Sequence, residues 1–75
     1  MKELVEYIVK SIVAEPDRVN ITEETNDTGL VIKLEVAPDD KGRVIGRQGR
    51  VAEAMRTLLR VKGARDDTRV RLEIV

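Results

Sequence analysis

Two glycines three residues apart, Gly46 and Gly49, give the sequence its clearest chance of binding a ligand. Because neither has a Cβ, the backbone can turn tightly here and a ligand can approach the main chain closely. Free N–H groups at the start of a following helix would point at that ligand, and the helix dipole favours a negative charge there. The glycine pair therefore predicts an anion-binding turn.

Three arginines, Arg43, Arg47 and Arg50, surround this turn, and Gln48 inside it adds two donors and an acceptor. All four side chains suit the phosphodiester backbone of a nucleic acid. A glycine pair in a loop is more commonly a plain turn, so the pair alone does not decide between the two interpretations. The surrounding arginines, and a predicted helix on either side, favour the binding interpretation.

The charges are distributed unevenly along the chain, although the formal net charge is zero. Residues 1–40 carry a balance of −6 and residues 41–75 a balance of +6. This split predicts one face suited to a polyanion, although a fold that interleaves the two halves would cancel the field. Within the basic half, Arg56, Arg60 and Lys62 either extend a cationic track or form an ordinary solvated helix face.

The composition excludes most catalytic chemistry. With neither cysteine nor histidine in the chain, there can be no disulfide, thiolate metal site or histidine general base. The aspartate pairs at 39–40 and 66–67 lie where caps and turns favour aspartate, so no metal or cofactor is expected. Tyr7 is the only aromatic residue, which counts against modules that stack bases on surface aromatics. We predict a protein without catalytic residues, and therefore not an enzyme.

The chain length and apolar patterning predict a single domain, residues 1–75, in the cytoplasm. The longest apolar runs are about two to three residues, far shorter than a membrane span requires. The first residues lack the apolar core of a signal peptide. We therefore expect no membrane span.

Hydrophobic periodicity predicts the helices that must position the glycine turn. One apolar stripe indicates a helix near the N-terminus that ends before Pro16. A short helix over residues 41–45, capped by one of the two preceding aspartates, leads into the turn. A longer helix follows from Val51, with Gly63 as its C-cap.

Alternating apolar residues predict three strands, at residues 18–22, 30–36 and 70–74, the first two joined as a hairpin by a turn over residues 25–29. Arg69 and Arg71 on the last strand are expected to form ion pairs with Glu35 or with the first strand. The order α-β-β-α-α-β predicts an α+β fold with three helices packed on one face of a three-stranded sheet.

The segment Val44-Ile45-Gly46-Arg47-Gln48-Gly49, in this order of elements, resembles the KH domain of type II topology. The resemblance covers the chain from end to end. Residues 42–50, followed by an Ala-x-Ala helix, are similar to the small bacterial single-KH RNA-binding proteins of the KhpA/YlqC type. Such a module clamps about four nucleotides of single-stranded nucleic acid at its GxxG loop.

The resemblance and the local chemistry together define nine predicted RNA-binding residues. In chain order they are Arg43, Val44, Ile45, Gly46, Arg47, Gln48, Gly49, Arg50 and Val51. The resemblance implies that the GxxG residues clamp phosphate, while one member of the Val-Ile pair lines a groove and the other enters the core. We expect Ile45, Val51 and part of a neighbouring strand to form that groove. Ala52 stands where many KH domains have a larger aliphatic residue, so no base preference is transferred.

We expect an RNA-binding protein that captures about four nucleotides of single-stranded RNA at the GxxG turn, as an RNA chaperone or accessory factor. The resemblance further implies a homodimer, or a larger partner that carries its own KH domain. The alternative hypothesis is a protein-interaction module that has kept the fold, dimerises, and binds RNA weakly or not at all.

Overall fold

The computed structural model describes residues 1–75, and its helices and strands follow the predicted order α-β-β-α-α-β. In chain order these are α1 Lys2–Ile12, β1 Asn20–Asn26, β2 Gly29–Glu35, α2 Lys41–Ile45, α3 Arg50–Arg65 and β3 Val70–Ile74. Short 3-10 turns precede β1, α2 and α3, at Pro16–Arg18, Pro38–Asp40 and Arg47–Gly49. None of the helices is both long enough and apolar enough to cross a lipid bilayer.

The sheet has the order β1-β2-β3, with β1 antiparallel and β3 parallel to the central strand β2. Only β2 is paired on both sides, and its Ile32 and Leu34 are fully buried. The predicted ion pairs of Arg69 and Arg71 with β1 or Glu35 do not form. Strand β2 separates β3 from β1, and the parallel register places Arg71 opposite Val31, four residues from Glu35.

The core is a single aliphatic cluster between the helices and one face of the sheet. Its members are Val5, Val9, Ile21, Ile32, Leu34, Val36, Val44, Met55, Leu59 and Leu72. The three helices thus cover one face of the three-stranded sheet, as predicted. Because α2 and α3 both pack into this cluster, the position of the turn between them is fixed.

The hairpin is longer and its turn tighter than the sequence predicted. Strand β1 extends to Asn26, which lies opposite Gly29, so only two residues form the turn. The Asn26 side-chain oxygen accepts hydrogen bonds from the Thr28 N–H at 2.9 Å and the Thr28 hydroxyl at 2.7 Å. The prediction missed the second half of β1 because Ile21 is its only buried residue, so no apolar alternation marks the rest.

The prediction that Gly63 caps α3 was wrong, because the helix continues to Arg65 with Gly63 buried inside it. The cap forms further on, where Thr68 N–H donates to Gly63 O at 2.7 Å and Asp67 N–H to Ala64 O at 3.3 Å. Asp67 takes the left-handed position, with φ 55°. Aspartate is one of the residues that adopt this conformation most readily, so the chain needs no glycine there.

Candidate nucleic-acid interface

The apolar pair before the glycine turn is divided between the core and the surface. Val44 is completely buried and anchors α2 in the aliphatic cluster, whereas the Ile45 residue is 37% exposed. Val51, in the first turn of α3, is half-buried and packs against the same cluster. Ile45 is therefore the member of the pair that a ligand at the turn can reach.

Three of the four GxxG residues have positive φ. Gly46 has φ 79° and ψ 171°, a conformation essentially confined to glycine, and Gly49 has φ 74°. Gln48 has φ 56°, in the left-handed region. A hydrogen bond of 3.1 Å from Gly49 N–H to Gly46 O closes the turn. The predicted tight turn at the glycines is confirmed.

The two glycines differ in what surrounds them. A Cβ on Gly46 would lie 2.8 Å from the backbone nitrogen of Val51, so this glycine is required by close packing against α3. A Cβ on Gly49 would have no atom within 4 Å. The turn is therefore closed on the Gly46 side and open to solvent at Gly49, where a ligand can contact the main chain.

Hydrogen-bond donors surround this open side. Helix α3 begins at Arg50 and no side chain caps it. The Gly49 and Arg50 N–H groups donate to Gly46 O and Arg47 O within the turn, so this end of α3 offers an anion mainly the positive end of the helix dipole. The exposed Arg47 and Arg50 form no ion pair with any carboxylate. Arg50 Nη2 donates to Gln48 Oε1 at 3.2 Å, which holds the two side chains together. The site thus presents cations and dipoles without a bound counter-charge.

A buried carboxylate secures the start of α2, and sequence reasoning gave it the wrong role. Asp40 is 1% exposed and makes no cap hydrogen bond to its own helix. Its carboxylate oxygens instead accept the backbone N–H groups of Ala14 and Glu15, each at 3.0 Å. The Ala14 N–H is the main cause that holds the pKa of Asp40 below its ordinary value. Arg43 Nε lies 3.8 Å from Asp40 Oδ1, so this predicted RNA contact is partly neutralised.

An open groove of about 580 Å³ runs between α3 and β3. Apolar and charged residues share its lining: Leu72 and Ile74 alternate with Arg71 and Glu73 along β3, while Leu59, Arg56 and Arg60 line its helix side. Ile45 and Val51, which the sequence predicted as part of a groove for the bases, are not among the residues that line this one. The spacing of Arg56 and Arg60 was visible in the sequence, but which strand they would face was not.

Other carboxylates do not gather into a metal site. No group of three or more acidic side chains lies close enough together to hold a metal ion. The exposed cationic surface at the turn and the groove beside it are consequently the principal chemical features of the molecule.

The order of elements and the GxxG turn between two helices define a KH domain of type II topology. The family model for the KH domain of KhpA and KhpB matches residues 2–74, and the chain belongs to this family. The predicted resemblance is confirmed. Membership also agrees with the prediction that the protein is not an enzyme, since this is a family of RNA-binding proteins.

Several curated relatives match the whole chain. The RNA-binding protein KhpA of Listeria monocytogenes is 51% identical over 75 residues, covering 100% of this chain and 99% of the relative. RNA-binding protein KhpA of Clostridium acetobutylicum is 44% identical over the full length of both chains. RNA-binding protein KhpA of Borreliella burgdorferi is 42% identical over 73 residues, covering 97% and 89% respectively. No solved structure matches the chain.

Proposed function

We propose that this chain binds single-stranded RNA and captures about four nucleotides at its GxxG turn. The observation that supports this most directly is the open side of Gly49, where the uncapped start of α3 lies beside Arg47 and Arg50, which have no ionic partner. The names of the relatives, all RNA-binding proteins, support the same class of ligand.

The turn binds the phosphates in this mechanism. The positive end of the α3 dipole attracts the phosphate oxygens, and Arg47, Arg50 and Arg43 supply charged donors. Arg43 contributes least, because Asp40 already lies within 3.8 Å of it. Gln48 offers a neutral donor at the centre of the turn.

The bases lie in the groove between α3 and β3. Its lining includes aliphatic side chains such as Ile74 and Val70. Strand β3 is paired with β2 on one side only, so its outer edge has backbone donors and acceptors free for base edges. Aliphatic side chains contact the faces of all four bases in a similar way, and the phosphate contacts at the turn carry no sequence information. We therefore propose broad sequence tolerance, consistent with an RNA chaperone or an accessory factor in the cytoplasm.

Exposed apolar residues on α1 and α3 form a second surface that suits contact with another protein. Tyr7 on α1 is 75% exposed, and Leu58 and Val61 on α3 are 50% and 65% exposed. Leu4 of α1 joins Leu58 and Val61 around one shallow depression, so the apolar surface spans both helices. We propose that this surface forms a homodimer or contacts a larger partner that carries its own KH domain. The family model, which covers both KhpA and KhpB, supports such a pairing.

The alternative function, a protein-interaction module without RNA, is favoured by the same exposed apolar residues. Titration of the protein with single-stranded RNA and with a blunt duplex of equal length, followed by fluorescence anisotropy, separates the hypotheses. We expect tighter binding of the single strand, because the groove accepts only splayed bases. Equal binding of both ligands would indicate a diffuse basic face, and no binding of either would favour the interaction module.

A further inference from the structure

A second group of arginines lies beyond the groove, away from the glycine turn. Arg60 is ten residues along α3 from Arg50, a distance of about 15 Å at the helical rise per residue. It lines both the groove and a second open depression of about 700 Å³, which Arg69 also lines. Arg56 lies one helical turn before Arg60 and lines the groove alone. The basic residues therefore continue from the turn to the far end of α3.

None of these arginines is neutralised by a neighbour. The four ion pairs of the structure are Met1–Glu3, Glu6–Lys10, Glu24–Lys33 and Asp40–Arg43. Asp67 and Glu73 also line these depressions, but neither carboxylate lies within 4.0 Å of a guanidinium. Exposed arginines that share a concave surface without counter-ions raise the local concentration of anions.

The backbone at Arg69 is held from two directions. Leu30 N–H donates to Arg69 O at 2.8 Å, which ties the residue to the start of β2. Thr68 N–H donates to Gly63 O at 2.7 Å, which ties the preceding residue to the end of α3. The side chain of Arg69 is nevertheless exposed. The fixed backbone places the base of this side chain at the rim of the depression, and its guanidinium has no competing partner there.

We propose that Arg60 and Arg69 form a second phosphate-binding site, which holds the RNA backbone after it leaves the groove. This inference rests on the proposed function and extends it to strands longer than the roughly four nucleotides held at the GxxG turn. RNA fits this site better than an acidic peptide because the depression is continuous with the groove through Arg60, which lines both. A strand in the groove therefore reaches the second site without leaving the surface.

The experiment compares a tetranucleotide with a dodecanucleotide of unstructured RNA on wild-type protein, on Arg69→Gln and on the double variant Arg60→Gln/Arg69→Gln. The control is Lys62→Gln/Arg65→Gln, which removes the same charge from α3 at residues that line a different depression, beside Leu4. Arg69→Gln alone leaves the groove lining intact and should keep the wild-type tetranucleotide affinity. Because Arg60 also lines the groove, the Arg60/Arg69 variant should lose less affinity for the tetranucleotide than for the dodecanucleotide. Its dodecanucleotide affinity should fall by about fivefold, the size expected for two exposed ion pairs.

The salt dependence provides a second readout. For the dodecanucleotide, the slope of log affinity against log salt should become shallower by about 1.4 in the variant, since each phosphate contact in a single strand contributes about 0.7. In the control variant we expect the wild-type slope. Thermal unfolding should give the same Tm for all of these proteins, because the four substituted side chains are exposed.

Three outcomes would overturn the second site without affecting the proposed function. These are wild-type dodecanucleotide affinity in the Arg60/Arg69 variant, an equal loss in the control, or a matching loss of tetranucleotide affinity, which would place both arginines in the primary groove. Failure of the wild-type protein to bind the tetranucleotide would instead overturn the proposed function. The two failures are therefore distinguishable in one set of titrations.

Discussion

Ala14 and Asp40 lie 26 residues apart in the sequence and are joined by a hydrogen bond of 3.0 Å from the backbone N–H of Ala14 to Asp40 Oδ1. Glu15 N–H donates to the other carboxylate oxygen at the same distance. Because Asp40 immediately precedes α2, this one side chain links the segment after α1 to the helix that leads into the GxxG turn. No buried side-chain donor or acceptor in the structure lacks a partner.

This relationship predicts an acid-sensitive contribution to stability. The pKa of folded Asp40 lies below its unfolded value, about 3.9, so the ionised carboxylate stabilises the fold at neutral pH. That contribution is lost as the pH falls through the folded pKa. We expect Asp40→Asn to have a lower Tm than wild type at pH 7, and the difference to shrink below about pH 4.

Thermal unfolding by circular dichroism at pH 7 and at pH 3 measures this difference. Asp39→Asn is the matched control, because Asp39 is the exposed neighbour and should change Tm little at either pH. A Tm difference between wild type and Asp40→Asn that is the same at both pH values would contradict the role of the ionised carboxylate.

Asp40 also shows where prediction from the sequence reached its limit. An aspartate before a short helix favours a cap on local grounds, but its actual partners come from a distant part of the chain. The GxxG turn was predictable because positive φ at Gly46 and Gly49 is a local requirement of the chain. The helices and the buried strands were predictable because their apolar residues recur with the period of the element.

The position of the groove was not predictable for the same physical reason. Which strand α3 faces depends on the parallel pairing of β2 with β3, a long-range contact without a local signature. The sequence therefore indicated a groove at Ile45 and Val51 and gave no sign of the groove that Leu59, Leu72 and Ile74 line. The sequence also did not determine which of Val44 and Ile45 enters the core, because both are aliphatic and adjacent.

The two glycines of the turn should respond differently to alanine. Gly49→Ala adds a Cβ in open space, so only the left-handed backbone conformation is unfavourable. The free energy of unfolding should fall by about 1 to 2 kcal/mol. In Gly46→Ala, alanine must take a conformation that is essentially confined to glycine, and its Cβ clashes with the Val51 backbone. The free energy of unfolding should therefore fall by more than about 2 kcal/mol. Urea unfolding of both variants tests the order, and a smaller loss at Gly46 would contradict the described packing of the turn.

Binding of a tetranucleotide should weaken as salt is added. If Arg43, Arg47 and Arg50 each contact one phosphate, log affinity should fall linearly with log salt with a slope of roughly −2. Anisotropy titrations from low to moderate potassium chloride measure this slope. On a tetranucleotide with a 5′ phosphate, which supplies a fourth anionic group, a contact from Lys41 as well would steepen the slope to roughly −3. A slope near zero would exclude an electrostatic clamp at the turn.

The exposed apolar surface predicts the outcome of a polar substitution. We expect Leu58→Ser/Val61→Ser to leave Tm nearly unchanged, because both side chains are at least half exposed in the monomer. If the surface forms a homodimer, sedimentation equilibrium should show a weaker association than wild type. Val75→Ser, at another exposed apolar residue, is the control and should associate as wild type does. An unchanged mass for the double variant would remove this surface from self-association.

The motif itself is tested by Arg47→Asp/Gln48→Asp, which should abolish RNA binding and leave the fold intact. Gln48 has φ 56°, a conformation that aspartate adopts readily, and both residues are exposed. Aspartate near the start of α3 also interacts favourably with the helix dipole, so Tm should stay the same or rise slightly. Binding should fail because donors are lost and two carboxylates occupy the positions where phosphate oxygens must lie.

Thermal unfolding and single-strand RNA binding are measured on the same preparation, so that a loss of binding is separated from a loss of folding. The control makes the same net change in charge at exposed residues outside the turn, with Arg18→Asp/Asn20→Asp. It should bind RNA with an affinity near that of the wild type, since neither residue lies near α3 in the sequence or lines the groove. A folded Arg47→Asp/Gln48→Asp protein that binds RNA as tightly as wild type would exclude the GxxG turn from the mechanism, and the phosphate clamp with it.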